Sequence, residues 1–304
     1  MDIRLNQVYS FHQIGKREYQ EDSRFPDIDT PNQEQRFFVV CDGVGGCDKG
    51  EVASQTVCES IGKSMSKVGF GDDFTNEDFN HVLDAAYDAL DAKTNSSNRE
   101  MATTLAFVCF HGGGCTMAHI GDSRIYQIRP SEGILYRSDD HSMVNTMVHN
   151  GMLTPEQAMN HPQRNMITRY MESVDSDQNR CMATVMRTVD VAVGDYFFMC
   201  SDGVLHMVTD DELLEILSSE SSDEDKMKLI AQKSEDSEDN NTAYLIPVTE
   251  VYTDPVTAER SEMVDEDSHE TKKVKVVSQN LEEIESIQNV SDKGFWNWLK
   301  KLIN

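Results

Sequence analysis

The chain has 304 residues and a formal net charge of −27, so it is long enough for one large domain or two small ones with an ample core. Its negative field repels phosphodiester backbones, and we therefore expect no nucleic acid partner. The seven cysteines form no Cys-x-x-Cys pair and the first residues form no apolar signal segment, which together predict reduced thiols and a cytoplasmic protein.

The predicted strands and helices follow an order that is typical of an α+β fold. The strands are short runs rich in Phe, Val, Ile, Tyr and Cys, at 36–41, 104–110, 115–121, 124–129 and 195–200. Gly112-Gly113-Gly114 predicts a hairpin turn between the second and third of them. Two consecutive helices, 48–67 and 76–93, interrupt the strands, and this arrangement favours helices packed on antiparallel sheets.

Residues 139–173 are polar, rich in methionine and helical in pattern. Within them, Thr154 is predicted to cap a helix that has Pro155 in its first turn and Gln157 as the partner in a capping box. By pattern alone, this stretch is a helical insertion at the surface.

Four aspartates stand where predicted strands end or begin. Asp42 and Asp202 each follow an apolar run and precede a glycine, Asp122 lies between two alternating segments, and Asp239 comes shortly before the strand-like residues 242–246. An isolated aspartate in such a place is most often a turn former. Several carboxylates buried together are costly unless a cation neutralises them, and all-oxygen sites suit Mg²⁺ or Mn²⁺.

Seven short motifs occur in an order that resembles the metal-dependent protein Ser/Thr phosphatases, the PPM or type 2C-like family, over residues 8–249. The motifs are Arg17-Glu18-Tyr19-Gln20-Glu21-Asp22, Asp42-Gly43-Val44-Gly45-Gly46, Ala102-Thr103-Thr104, Gly121-Asp122-Ser123-Arg124, Asp140-His141-Ser142, Ser201-Asp202-Gly203 and Asp239-Asn240. His161-Pro162-Gln163-Arg164-Asn165 resembles the bacterial branch of that family. Each motif is weak alone, and the order of all seven carries the resemblance.

The resemblance implies a central antiparallel β-sandwich flanked by helical layers, with residues 139–173 as a flap beside the active site. It also implies two Mn²⁺ or Mg²⁺ ions, or three. Asp42 would bridge two ions, the carbonyl of Gly43 would complete one shell, and Asp202 and Asp239 would hold the other ion. Glu21 would act mostly through bound water. Asp122, together with Asp202, matches the position of a third and weaker ion in bacterial members.

Three further positions follow from the same resemblance. Arg17 matches the arginine that binds the substrate phosphate, and a planar guanidinium can grip two phosphate oxygens. Asp22 and Asn240 are expected to support the metal ligands. Val44 is a departure, because some members carry a histidine there as a general acid. Ala102 is a second departure, where glycine is common, and we expect it to have little effect.

The predicted function is hydrolysis of phosphoserine and phosphothreonine on proteins, in opposition to a Ser/Thr kinase in bacterial signalling. Two ions about 3.5–4 Å apart can lower the pKa of a water to about 7 and supply hydroxide at neutral pH. The rivals are a phosphodiesterase on the same metals and a non-catalytic phosphoprotein-binding module. Retention of Arg17 argues against the first, and retention of all the metal aspartates argues against the second.

Two other patterns are weaker. His111, Cys115 and His119 have a spacing that superficially resembles a zinc site, but a core cysteine with hairpin histidines is the favoured interpretation. Asp140-His141 looks catalytic in isolation, and the resemblance makes it a structural motif at the base of the flap.

The domain prediction divides the chain in three. Residues 1–249 form the phosphatase domain, 250–292 an acidic linker expected to be disordered, and 293–304 an amphipathic C-terminal helix. Both tryptophans lie in the last segment, with Lys293, Lys300 and Lys301 and no acidic residue. Twelve residues cannot span a bilayer, so reversible membrane binding, docking on a protein and an unstructured end stay open.

Overall fold

In the computed structural model of the chain, two antiparallel sheets pack face to face and helices cover both outer faces. The structure describes residues 1–44, 49–93, 101–159, 161–173 and 180–253, all of which lie in one unit, Met1–Ser261. The predicted helix 293–304, and the predicted linker beyond residue 253, lie outside the described residues.

The strands are β1 (Asp2–Leu5), β2 (Tyr9–Gln13), β3 (Ser23–Phe25), β4 (Phe37–Cys41), β5 (Ala102–Thr103), β6 (Leu105–His111), β7 (Gly114–Ile120), β8 (Arg124–Arg129), β9 (Gly133–Arg137), β10 (Met171–Glu172), β11 (Thr184–Thr188), β12 (Tyr196–Cys200) and β13 (Asn241–Tyr252). The helices are α1 (Gly50–Met65), α2 (Asn76–Lys93), α3 (Met143–His149), α4 (Pro155–Met159), α5 (Asp202–Leu205), α6 (Asp210–Ser218) and α7 (Asp223–Ser234).

The first sheet has the order β1-β13-β12-β8-β9, and β2 also pairs with β13. The second has the order β11-β7-β6-β4-β3, and β5 and β10 form a separate short pair. All the described pairings are antiparallel. The chain crosses between the two sheets at the turn from β7 to β8, so residues 121–123 lie at one edge of the sandwich.

Alternation along the strands divides the core into three layers. Between the sheets, Phe38 and Val108 of the second sheet pack in one cluster with Phe197 and Tyr244 of the first. On the outer face of the second sheet, Val39 and its neighbours pack against α1 and α2. On the outer face of the first sheet, residues of β8, β12 and β13 pack against α5, α6 and α7. These layers confirm the predicted sandwich flanked by helices.

Most predicted elements are confirmed, with ends displaced by one or two residues. The glycine turn joins β6 to β7, with His111 paired to Gly114, and the backbone N–H groups of Thr154 and Gln157 bond each other's side chains, as the capping box requires. Strand β13 continues past residue 249, because Val251 and Tyr252 pair with β1. The domain boundaries otherwise stay predictions. Among the described helices, none is long and apolar enough to cross a membrane.

Candidate functional site

The backbone of Asp42 is held by two threonine hydroxyls at the point where β4 ends. Its N–H donates to Thr104 Oγ1 (2.9 Å), and its carbonyl accepts from Thr103 Oγ1 (2.9 Å) and from the N–H of Thr104 (2.8 Å). These bonds fix the direction in which the aspartate leaves the sheet, because both the donor and the acceptor of its main chain are used.

The glycines after two of the site aspartates allow very close backbone contacts. A Cβ on Gly43 would lie 2.5 Å from the carbonyl carbon of Gly50 and 2.7 Å from the carbonyl oxygen of Glu21. A Cβ on Gly203 would lie 2.0 Å from the carbonyl oxygen of Asn240. Any side chain at these positions would push the Asp-bearing loops away from their neighbours.

Asp22 joins three distant segments beneath the site. It is 3% exposed, and its Oδ2 accepts hydrogen bonds from the hydroxyls of Ser201 and Thr242, both at 2.7 Å. Because Ser201 directly precedes Asp202, these bonds set where α5 begins. Burial raises the pKa of Asp22 to about 7, although the hydrogen bonds from the two hydroxyl groups favour the ionised carboxylate and act to lower the pKa.

Asn240 fastens the loop that carries Arg17 and Glu21. Its Nδ2 donates to the carbonyls of Ile14 (2.8 Å) and Tyr19 (3.0 Å), and its Oδ1 accepts from the N–H of Glu21 (2.8 Å). On the same loop Arg17 donates from Nη2 to Asp239 Oδ2 at 2.6 Å. The predicted phosphate-binding arginine therefore contacts a predicted metal ligand, rather than forming the ordinary surface pair with the Glu21 side chain.

The aspartates strongly influence each other's ionisation. The carboxyl groups of Asp42 and Asp202 lie close enough for each to affect the pKa of the other. Burial, and then the charges of Asp22, Asp202, Asp122 and Asp239, raise the pKa of Asp42 well above its usual range. Burial and the charge of Asp202 likewise raise the pKa of Asp122.

The donor set has the chemistry of a site for a hard divalent cation. Within the described part of the chain, the buried Oδ1 atoms of Asp22 and Asp202 have no hydrogen-bond partner. A cation would neutralise these neighbouring carboxylates, and their oxygens are the ligands that Mg²⁺ and Mn²⁺ prefer. Among the described residues, no three acidic, His or Cys side chains already stand in the geometry of a metal site.

The structure thus brings Asp122, Asp202 and Asp239 close enough to Asp42 for their charges to raise its pKa. Glu21 lies at the rim, where burial raises its pKa. The metal ligands Glu21, Asp42, Gly43, Asp122, Asp202 and Asp239 stay predictions.

The base of the flap is held by Asp140 and His141. Arg124 donates to both carboxylate oxygens of Asp140 at 2.7 Å. His141 Nδ1 accepts from the N–H of Gly121 (3.1 Å), and its ring stacks on His119 at 4.5 Å. These contacts give Asp140-His141 the predicted structural role and tie the flap to the loop that contains Asp122.

The superficial zinc pattern is not a site. His111 Nε2 bonds Thr116 Oγ1 at 2.9 Å, His119 Nε2 donates to the carbonyl of Asp139 at 2.8 Å, and Cys115 is buried in the core. Each side chain is thus occupied in a different place along the hairpin, as the sequence analysis favoured.

Comparison with known proteins agrees with this geometry. The protein phosphatase 2C family profile matches residues 15–234. Among curated proteins, the chain is 34% identical over 188 residues to the serine/threonine protein phosphatase PstP of Mycobacterium tuberculosis, covering 60% of this chain and only 34% of PstP. It is 32% identical over 220 residues to the protein phosphatase PhpP of Streptococcus pneumoniae, covering 70% of this chain and 86% of PhpP.

Two solved structures extend the likeness to the fold. The serine/threonine phosphatase Stp1 from Staphylococcus aureus superposes with a TM-score of 0.70 and 28% identity, covering 82% of this chain and 98% of Stp1. The catalytic domain of PstP, solved in complex with two manganese ions, has a TM-score of 0.66 and 25% identity, covering 82% of this chain and all of that domain.

The hydroxyl groups that hold the aspartates were not predicted from the sequence. Thr104, Ser201 and Thr242 each bond an aspartate's backbone or side chain. A weak signal was present, since each stands within two residues of a motif aspartate or of a strand end. Hydroxyl side chains are common at such places, so their position alone could not identify these contacts.

We expect Asp22 to give the metal-free protein a distinct pH dependence. The pKa of Asp22 is 3.8 when unperturbed and about 7 in the fold. Between these two pH values the folded protein keeps a proton on Asp22 that the unfolded chain has lost. The stability that this proton binding contributes is therefore lost as the pH rises toward 7. In excess EDTA, the Tm of Asp22→Asn minus that of the unchanged protein should increase from about pH 5 to about pH 7.5, measured by differential scanning fluorimetry. Asp211→Asn, at an exposed aspartate, is the control; a difference for Asp22→Asn that does not change with pH would contradict the assignment.

Proposed function

The chain belongs to the protein phosphatase 2C family, and we propose that it hydrolyses phosphoserine and phosphothreonine monoesters on proteins with two or three Mn²⁺ or Mg²⁺ ions. The activity named for PstP and PhpP supports this proposal. The matched segment spans about a third of PstP, and the proposal therefore concerns residues 1–249, the predicted phosphatase domain.

The observation that carries the proposal is the clustering of Asp122, Asp202 and Asp239 around the buried Asp42, whose pKa their charges raise. Asp42, Asp202 and Asp239 together carry up to three negative charges, and a phosphoserine adds about −1.5 to −2. This cluster would repel its substrate unless cations reversed the charge. When bound, the ions would neutralise the phosphate and supply hydroxide from water at neutral pH.

The chain's own residues orient the substrate. Arg17 uses Nη2 on Asp239 and has further N–H donors for phosphate oxygens. Its side chain is 43% exposed, so a phosphate can reach it from solvent. Asn240 holds the loop of Arg17 in place through the three bonds described above, and Gly43 stands directly after Asp42 at a position where no Cβ fits.

The position after Gly43 offers no proton donor. Val44 is half-buried, and its N–H donates to the carbonyl of Ala102 at 3.0 Å. The leaving group must therefore take its proton from a group other than the side chain at this position.

The two rival functions are less well supported. A phosphodiester has two non-bridging oxygens and one negative charge, against three oxygens and up to two charges on a monoester, so Arg17 and the cations should favour the monoester. A non-catalytic module would not need to keep all the acidic residues at the cost of their mutual repulsion. We further propose a Ser/Thr kinase as the opposing enzyme, in bacterial signalling and in the cytoplasm.

Activity should depend strictly on a divalent cation. The protein should hydrolyse p-nitrophenyl phosphate and a phosphothreonine peptide with Mn²⁺ or Mg²⁺, lose both activities in EDTA, and regain them when excess metal is restored. The diester bis(p-nitrophenyl) phosphate should be a far poorer substrate. Substantial turnover in metal-free buffer would refute the proposed mechanism, and a preference for the diester would favour the phosphodiesterase.

Substitutions should separate the metal ligands from the phosphate-binding residue. Asp42→Asn and Asp202→Asn should each lower kcat at least about a hundredfold, since metal stabilisation of the transition state amounts to several kcal/mol. Arg17→Ala should mainly raise KM, about tenfold, because its phosphate contact exists in the ground state. Asp239→Asn should also lower kcat, but it removes the partner of Arg17 as well.

Steady-state kinetics on p-nitrophenyl phosphate measure both effects. Lys67→Gln is the control, because this exposed side chain lies just after the C-terminal end of α1. The 16 residues of the helix span about 24 Å, and the candidate site lies at the opposite, N-terminal end. An Arg17→Ala enzyme with unchanged KM would exclude the proposed role of Arg17.

A histidine introduced beside the metal site should change the pH profile. The unchanged enzyme should show no acidic limb from position 44, because valine does not ionise. Val44→His should add an ionisation near the unperturbed pKa of histidine, about 6.5, to the kcat–pH profile. Val44→Gln tests the effect of a polar side chain without a titratable group, and profiles that are the same for both variants would contradict the expectation.

A further inference from the structure

Residues 14–21 form a loop that the structure holds firmly against the segment that carries Asp239. Gly15 has a positive φ of 58° and approaches this segment so closely that a Cβ would lie 2.2 Å from the carbonyl oxygen of Asp239. Farther along the loop, the side chain of Asn240 donates to the carbonyl of Tyr19 at 3.0 Å. Because these contacts fix the backbone, a ligand that binds the side chains of the loop does not have to order it first.

The middle of this loop lies at the rim of the candidate site. Two residues before Tyr19, Arg17 donates to Asp239 Oδ2 at 2.6 Å. Two residues after Tyr19, the carbonyl of Glu21 accepts from the N–H of Gly43 at 3.1 Å. Two residues of chain span at most about 7 Å, so the Cα atom of Tyr19 lies within that distance of two residues that contact the aspartate cluster.

Glu18 and Tyr19 present a carboxylate and an aromatic ring to solvent at this rim. Tyr19 is 75% exposed, and Glu18 is exposed as well. Among the residues that the structure describes, neither side chain has a hydrogen-bond or ion-pair partner. The two bases of the loop, Lys16 and Arg17, are in contrast both paired with acids. The contacts within the fold therefore leave the ring and the carboxylate free for a ligand.

A tyrosine ring beside a carboxylate suits a cationic side chain. The face of the ring attracts an ammonium or guanidinium group, and the carboxylate can pair with the same group. Other tyrosines of this chain already bind cations in this way. Arg4 lies over the ring of Tyr252 at 5.3 Å. Lys226 lies over the ring of Tyr196 at 4.8 Å. Within the described residues, the ring of Tyr19 has no such cation.

The charge around the loop favours the same kind of ligand. Residues 14–21 and the contacting segment 236–239 together contain five acidic and two basic residues. The whole chain has a net charge of −27. The local field therefore attracts a cation over about a Debye length, 8–10 Å at physiological salt.

We propose that Glu18 and Tyr19 bind an arginine or lysine side chain of the phosphoprotein substrate, within about three residues of the phosphorylated one. Arg17 is the proposed phosphate-binding residue, and an extended peptide covers the distance of about 7 Å between it and Tyr19 in about two residues. Glu18 and Tyr19 then determine specificity, because they select phosphosites that have a basic neighbour. This inference rests on the proposed phosphatase activity.

The test uses the full chain with Mn²⁺ and phosphothreonine peptides in matched sets. A single arginine moves stepwise from three residues before the phosphothreonine to three residues after it, and glutamine or glutamate replaces it in two parallel sets. At one or more positions, kcat/KM for the arginine peptide should exceed that for the glutamine peptide about threefold to tenfold, since an exposed cation–π contact and an exposed ion pair each contribute a few-fold. The difference should lie in KM and should decrease at high salt.

Substitutions in the loop should change the ratio of kcat/KM between the peptides. Glu18→Gln and Tyr19→Leu should each lower the preference for arginine, and Tyr19→Phe should keep it because the ring face remains. Glu18→Lys should reverse the preference, so that the glutamate peptide becomes the better substrate. Because every variant is judged by a ratio between peptides, a general loss of activity does not imitate the expected effect.

Glu77→Gln is the matched control and should keep the full preference. This exposed acid lies at the start of α2, close to Phe74, whose N–H donates to His111. His111 ends β6, whose seven residues place it about 20 Å from the site end of that strand.

The outcomes distinguish this inference from the proposed function. The role of Glu18 and Tyr19 would be overturned if the unchanged protein showed no preference for arginine, or if the preference persisted in both Glu18→Gln and Tyr19→Leu. An unchanged order of the three peptides in Glu18→Lys would also overturn it, as would an equal loss of preference in Glu77→Gln, which would attribute the effect to net charge alone. Absence of turnover on every peptide would instead refute the phosphatase proposal.

Discussion

Mutual repulsion among carboxylates at one edge of the β-sandwich is the constraint on which the site depends. Asp42 and Asp202 come from different sheets, and yet the charge of Asp202 raises the pKa of Asp42. Such proximity persists only if the surrounding structure holds both backbones. Hydrogen bonds with the neutral hydroxyls of Thr103 and Thr104 hold the backbone of Asp42, and Ser201, which precedes Asp202, is bonded to Asp22.

The sandwich brings these residues together through its connections. Asp42 follows β4 in the second sheet, Asp202 follows β12 in the first, and Asp122 lies where the chain crosses from one to the other. All three therefore stand at the same edge. The apolar layer between the sheets, with rings such as Phe38 and Tyr244 in contact at 5.3 Å, keeps that edge rigid, because close-packed interiors deform little.

Arg17 places a positive charge at the rim of this cluster. It approaches from the N-terminal loop that Asn240 holds. The flap is joined to the site through the Arg124–Asp140 ion pair, the stacking of His141 on His119 and main-chain hydrogen bonds. Exposed methionines such as Met152 and Met159 lie on its surface. An acidic centre with a cation at its edge suits metal ions bound at the centre and an anionic ligand that reaches the edge.

The sequence by itself determined the core strands and the identity of the acidic residues. Continuous apolar runs such as Phe37–Cys41 predicted β4 because a strand buried on both faces has no polar positions, and the glycine turn predicted the β6–β7 hairpin. Strands such as β1 and β11 were missed, since they are short and partly exposed and their alternation is weak.

Helices α6 and α7 were also missed, although the capping box of Thr209 and Glu212 was a readable signal for the first of them.

Only the tertiary structure decided which groups meet. The hydroxyls that bind Asp22 come from residues 179 and 220 positions away, and the partner of Arg17 is 222 positions away. Such contacts depend on how β2 and β12 align with β13, and a shift of one residue would turn every side chain to the opposite face. Local patterns carry no information about that alignment, because it is set by packing across the whole sandwich.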